Sequence, residues 1–497
     1  MRSIGHFVGN RQVPGASGRW GPVHDPATGE LTGRVALASA AEVDTAVAAA
    51  REAARPWAAV SLARRTALLF AYRELLHARR DELARIVTAE HGKIHADALG
   101  EVARGLDVVE LACGVQRELA GRVSTEVSSG VDVVSLRQPL GVVAGITPFN
   151  FPAMVPLWMF PLAVACGNAF VLKPSEKAPS AALRLAELAA EAGFPPGVLG
   201  VVNGGSEAVD RLLAHPDVAA VSFVGSTPVA EAVHRAATAY GKRVQALGGA
   251  KNHMVVLPDA DLDLAADGAV GAAFGSAGER CMAVSVVVAV GDAADGLVAR
   301  IAERARAVRV GPGHDPASAM GPLITAQHRD TVASYVRGAR AQGAEVVVDG
   351  TGCRVPGYEG GFYLGASLLD RVTPGMDAYR DEIFGPVLCV VRAASYEEAV
   401  ALVNASRWGN GAAVFTRDGG LARRFQLEVT AGMVGVNVPI PVPVAHHSFG
   451  GWKDSLFGDH HVYGEDGVRF CTRGKVVTSR WPGPAAGGVD PVFPSGG

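Results

Sequence analysis

The 497-residue sequence contains no C-x-x-C pair and no H-E-x-x-H run. Its six cysteines stand far apart, at 113, 166, 281, 353, 389 and 471. A disulfide framework and a structural zinc site are therefore not expected, and no metal is assigned. Charge bias is also missing: 46 Lys+Arg balance 49 Asp+Glu, for a formal net charge of −3. No basic run marks a nucleic-acid footprint, and no bulk charge draws the chain to a membrane surface. No uncharged apolar run reaches the roughly 18 residues of a membrane span. The stretch Val155 to Ala165 is apolar, but it is short and carries two prolines. Met1 to Pro14 has no apolar signal core, so export is not expected and the cytoplasm is the default compartment. His446-His447 and His460-His461 have no further ligands at metal spacing and read as loop residues.

What is present is apolar sequence, 49 % of the chain, in a length that exceeds one ordinary core. A Gly- and Pro-rich arm of short strands, to about residue 35, precedes helical sequence. Ser39-Ala-Ala-Glu42 is a capping box opening a helix to about Arg55. A second helix starts near Leu62, and a third, around Ala98 to Leu119, carries Arg104. From residue 141 apolar strands alternate with helices: 141–146, 169–172, 198–202, 219–224 and 244–247. A second alternating region follows, with strands at 284–290, 344–348, 387–391, 411–415 and 433–437. Ser395-Tyr-Glu-Glu398 reads as another capping box. This pattern predicts an α/β protein with parallel sheets covered on both faces. Ligands of such sheets sit beyond the carboxyl ends of the strands. That rule points to Thr147–Asn150, Lys173–Glu176 and Gly225-Ser226.

Several residues there suit chemistry. Cys281 follows a Gly-rich stretch and Arg280, a cation able to favour a thiolate. A lone cysteine is more often a small core residue, so its context carries the functional reading. Asn150 sits in the rigid run Thr147-Pro-Phe-Asn-Phe-Pro152 and is either a turn residue or an amide donor to an oxyanion. Lys173 and Glu176 are either solvated caps or ribose ligands. Gly225-Ser226 occupies a strand-to-helix turn that suits phosphate, although no G-x-G-x-x-G is present and Ala230 stands where a later glycine would fall.

Together these runs resemble the aldehyde dehydrogenase superfamily over nearly the whole chain. The matching runs are Thr147-Pro-Phe-Asn-Phe-Pro152, Leu172-Lys-Pro-Ser-Glu176, Phe223-Val-Gly-Ser226, Gly278-Glu-Arg-Cys281 and Glu382-Ile-Phe-Gly-Pro386. One element departs: Leu247-Gly-Gly-Ala-Lys251 has Leu247 where the superfamily's deacylating glutamate stands. That departure is similar to the CoA-acylating methylmalonate-semialdehyde branch. Gly249-Ala-Lys-Asn-His253, Gly278-Glu-Arg-Cys-Met-Ala283, Glu101-Val-Ala-Arg-Gly105 and Trp158-Met-Phe-Pro161 resemble the same branch.

The resemblance implies an aldehyde-dehydrogenase-like fold. A Rossmann-type NAD-binding domain would cover 1–119 and 139–248, and a catalytic α/β domain 249–440. An oligomerisation flap and C-terminal strand would cover 120–138 and 441–481, followed by a disordered tail, 482–497. A homo-oligomer, a dimer of dimers, is implied. Cys281 would be the nucleophile and Asn150 the oxyanion donor. Arg104 and Arg280 would hold the carboxylate of a semialdehyde substrate. Thr147, Phe149, Lys173, Glu176, Lys177, Gly225, Ser226, Gly248, Glu382 and Phe384 would bind NAD, with Glu176 disfavouring a 2′-phosphate. Coenzyme A would take the acyl group, because Leu247 cannot activate water and a thiol ionises near neutrality. Methylmalonate or malonate semialdehyde would give propanoyl-CoA or acetyl-CoA, with the carboxylate leaving as CO2 or bicarbonate. Two rivals remain: a hydrolytic enzyme using another base, with Glu279 the carboxylate nearest in sequence, and a non-catalytic binding protein on the same scaffold.

Overall fold

The computed structural model of the chain describes residues 1–481. The tail expected at 482–497 lies outside them. The arm forms five short strands between Arg2 and Ala36. Ser39 then caps the helix Ala40–Ala59, its hydroxyl accepting from Glu42 N while the Glu42 carboxylate accepts from Ser39 N. The helix outlasts the expected Arg55 by four residues, carrying Pro56 in its last turn. Ser395 caps Tyr396–Ala405, but Glu398 accepts from Ala394 N, so that box is displaced by one residue.

The central part of an eight-stranded sheet has the order Arg243–Leu247, Val218–Val224, Val142–Ile146, Ala169–Lys173, Leu199–Val201, all parallel. Chain direction across the sheet reverses between Val142–Ile146 and Val218–Val224. Such a switch point opens a crevice at the carboxyl edge. Thr147 and Gly225 stand at its two sides. The all-apolar helix Met154–Ala165 is buried against this sheet, as a helix without a polar face must be.

The second sheet is seven-stranded, in the order 345–348, 367–370, 387–393, 284–290, 252–256, 411–415, 433–436. Two of its strands, Asn252–Val256 and Ser367–Asp370, are not anticipated from the sequence, nor is the helix Arg80–His91. The expected third helix is observed at His95–Cys113, starting and ending earlier than its pattern indicated. A three-stranded antiparallel sheet joins Arg122–Ser128, Val131–Pro139 and Thr472–Arg480.

Candidate active site

Cys281 lies just before the strand Val284–Val290, after a turn of unusual backbone. Ser276 and Ala277, both at φ 53°, and Gly278, at φ 73°, are consecutive left-handed residues. Such residues cost on the order of 1–3 kcal/mol each when not glycine and persist only where the surroundings impose them. Gly278 is required for a second reason: a Cβ there would stand 2.2 Å from Gly385 O. Asp97 staples the turn, its carboxylate accepting from Ser276 N at 3.0 Å and from Arg280 Nη2 at 2.8 Å. Beyond the turn, Asn252 and Asn410 donate to Cys281 O at 2.9 and 3.1 Å. Cys281 is thus held from both sides.

Burial first, then the Glu382 carboxylate, push the Cys281 thiol up to about 12, and Arg280 opposes them weakly. The main-chain N–H groups of Cys281 and Met282 also favour the thiolate. The expected help from Arg280 therefore exists but is outweighed.

Asn150 is buried, and its Nδ2 donates one hydrogen to Glu279 O at 3.0 Å. A primary amide has two such hydrogens, so the second is left for a ligand. Glu279 itself is enclosed by other groups. Its carboxyl is fully buried, 3.5 Å from His91 Nε2 and 3.7 Å from His328 Nε2, and accepts from Ile324 N at 3.2 Å. Burial pushes it up to about 8 and holds His91 well below its ordinary value. Near neutrality this is a carboxylic acid facing a neutral imidazole. A folded-state value above the unfolded one stabilises below the unfolded carboxyl range, and that contribution is lost as pH rises through about 8. Glu279→Gln is therefore expected to shrink the drop in Tm between pH 6 and pH 9. An unchanged drop in thermal melts would contradict this placement.

The arginines occupy separate settings. Arg280 is tied to Asp97, whereas Arg104 is exposed, 3.2 Å from Asp107 Oδ2 and 3.4 Å from Val442 O. Asp97 and Arg104 are seven residues apart on His95–Cys113, so they share a helix face with Glu101 between them. The Arg104 guanidinium is held only by these two contacts, one to an exposed carboxylate.

The expected cofactor residues gather at the crevice. Thr147 follows its strand with a buried hydroxyl that has no partner. Lys173 Nζ is 3.6 Å from Glu176 Oε2, and burial lowers its pKa. Ser226 precedes the helix Thr227–Ala239, whose N-terminus has no side-chain cap. Those free N–H groups suit a phosphate. Glu382 accepts from Ala250 N at 2.9 Å, and a Cβ on Gly249 would fall 2.2 Å from its other oxygen. Burial raises Glu382 to about 7. A Cβ on Gly248 would stand 2.7 Å from Asp454 O. Lys177 Nζ stands 5.0 Å over the Phe149 ring, which meets Phe384 edge-on at 6.1 Å. The orphaned Thr147 hydroxyl, the uncapped helix and the Glu382 carboxylate fit a dinucleotide.

Sequence reasoning missed Asp97, Lys93, His91 and the inward Glu101. A usable signal existed for two of them. Asp97 and Glu101 stand four residues apart on a helix whose Ala98, Val102 and Leu106 are apolar, a carboxylate pair beside the face the helix buries. Among the described residues, no helix is long and apolar enough to cross a membrane. No group of three or more His, Cys, Asp or Glu in them is placed to hold a metal.

Comparison with known proteins agrees with this geometry. The aldehyde dehydrogenase family model matches residues 13–477. A malonate-semialdehyde dehydrogenase from Pseudomonas aeruginosa is 54 % identical over 483 residues, 97 % of each chain. The crystal structure of methylmalonate-semialdehyde dehydrogenase from Oceanimonas doudoroffii superposes with a TM-score of 0.96 at 54 % identity. It covers 97 % of this chain and 99 % of that one. A Sinorhizobium meliloti structure carrying the methylmalonate-semialdehyde dehydrogenase name, complexed with NAD, gives 0.97 at 51 % identity, covering 98 % and 99 %. With a thiol, an amide donor and a dinucleotide crevice joined on this scaffold, the chain belongs to the aldehyde dehydrogenase family.

Proposed function

We propose that this chain oxidises malonate or methylmalonate semialdehyde with NAD and hands the acyl group to coenzyme A. The observation that carries the reading is Leu247. It ends the strand Arg243–Leu247, buried and apolar, where the family's water-activating glutamate would stand. The names of the relatives support the substrate class.

The Cys281 thiolate adds to the aldehyde carbon, and the new oxyanion is met by Asn150 Nδ2–H and the Cys281 N–H. NAD, held by Thr147, Lys173, Glu176, Ser226 and Glu382, supplies a hydride acceptor when bound. Once hydride has left, Cys281 carries a thioester. Leu247 offers no base to a water, so the ester waits for the thiol of coenzyme A. Loss of the substrate carboxylate as CO2 or bicarbonate leaves its electron pair on the adjacent carbon, and the thioester carbonyl can accept that charge as an enolate. A proton taken up at that carbon, and attack by the coenzyme A thiol with departure of the Cys281 thiolate, then give acetyl-CoA or propanoyl-CoA. The hydrolytic alternative through Glu279 loses support, because that carboxyl faces His91. No observation favours a non-catalytic scaffold.

The sheet formed by 122–139 and 472–480 exposes Val123, Leu136, Val476 and Val477. Val123, Leu136 and Val477 share one side of this sheet, with Val476 on the other, and exposed apolar side chains of this kind support assembly of copies into a homo-oligomer, a dimer of dimers. In this reading the eight-stranded sheet belongs to the NAD-binding unit and the seven-stranded sheet to the catalytic unit.

Mass spectrometry of the products tests the whole. Methylmalonate semialdehyde, NAD and coenzyme A should yield propanoyl-CoA; free methylmalonate as the product would overturn the reading. Arg104→Leu should raise KM for either semialdehyde by about 100-fold and leave that for propanal within threefold, as expected for a lost charge-assisted contact. Equal effects on both would remove Arg104 from the carboxylate site.

A further inference from the structure

Lys93 and Glu101 take no part in the chemistry above, yet they form an ion pair with side chains 1 and 0 % exposed. A buried pair of this kind is retained at a cost unless its remaining polar atoms are also satisfied. Here they are. Lys93 Nζ donates to Glu101 Oε2 at 2.6 Å and to the main-chain oxygen of Asn150 at 2.6 Å. It also stands 4.1 Å over the Phe151 ring. Glu101 Oε1 accepts from Ala153 N at 2.8 Å and Met154 N at 3.1 Å. These N–H groups open the helix Met154–Ala165, which has no side-chain cap from its own N-cap residue. The pair therefore grips the run Thr147–Pro152 at Asn150 and just past its exit. Had Glu101 served only to cap the helix, its partner cation would not need to reach Asn150.

We propose that Lys93 and Glu101 are positioning residues that fix the Asn150 amide against Cys281. The inference rests on the reading of Asn150 as the oxyanion donor. A donor displaced by about 1 Å forfeits on the order of 100-fold in rate. Lys93 holds the same residue whose side chain is anchored on Glu279 O, so two bonds from different elements fix the amide.

The test is a mutant cycle on the full-length protein, read as single-turnover NADH formation with methylmalonate semialdehyde. Lys93→Met alone would strand a buried carboxylate and could unfold the chain. Lys93→Met/Glu101→Gln removes both charges and keeps an acceptor for Ala153 and Met154. The double variant should lose about 100-fold in the NADH-forming rate with NAD affinity, followed by fluorescence, unchanged. Placed on Asn150→Ala, it should cost less than about threefold further, because the donor it positions is gone. Lys93→Gln/Glu101→Gln, which likewise removes both charges and fills the site with polar side chains, should lose about tenfold or more alone and little on Asn150→Ala; it serves if the methionine variant does not fold. Full additivity on Asn150→Ala, or an unchanged rate with Asn150 intact, would overturn the proposal. If Asn150→Ala itself retains full rate, the donor reading fails first, and the positioning role falls with it.

Discussion

Cys281→Ala is expected to abolish both the first burst of NADH and steady turnover, with a loss on the order of 10⁴- to 10⁶-fold. No other cysteine among the described residues can replace it. Cys113, Cys166, Cys389 and Cys471 are buried, and burial raises the thiols of all four. Cys353 lies on the 351–365 loop, outside the crevice. Because the bonds that hold this residue go to its main-chain oxygen, removal of its sulfur should leave Tm and NAD affinity nearly unchanged, so that the loss is chemical. The wild-type burst rate should also rise between pH 7 and pH 9, since burial and Glu382 hold the thiol up near 12 and each step upward adds thiolate. A flat profile with retained activity in the alanine variant would remove the nucleophile.

Asn150→Ala should lower the NADH-forming rate by about 10²- to 10³-fold, roughly 2.7–4 kcal/mol, with KM little changed. The geometry argues for an effect on the transition state rather than on binding. The amide is anchored at Glu279 O and its main chain at Lys93, so its remaining hydrogen has one direction. Charge develops on the aldehyde oxygen only as sulfur adds. A fall in affinity with unchanged kcat would instead make Asn150 a substrate-binding residue.

The parallel alternation, the first capping box and the thiol turn were legible because each has a local signature. Ser39 and Glu42 lie three residues apart, and Cys281 follows the glycine that its turn requires. Asn252–Val256 was hidden because it opens with Asn252 and His253, whose polar side chains are buried by contacts from afar: Asn252 to Cys281 O and Gly411 N, His253 to Tyr379. Ser367–Asp370 is four residues long, behind a glycine-rich loop, too short for a period to show. The stapling of Arg280 by Asp97 spans 183 residues and leaves no trace in spacing. Lys93 precedes its helix and Glu101 is inside it, so their pairing follows from tertiary packing alone. The sequence reading of Arg280 as a cation beside the thiol omitted Asp97, whose carboxylate meets the guanidinium.

The central claim is that Leu247 leaves the Cys281 thioester without a water-activating base. Rapid mixing of enzyme, NAD and methylmalonate semialdehyde, with and without coenzyme A, tests it most directly. Without coenzyme A, NADH should appear once per active site and then stop, with a stable acyl adduct on Cys281 in intact-protein mass spectra. Addition of coenzyme A should release the adduct and restore turnover. Equal steady rates with and without coenzyme A, and free acid as product, would contradict the account.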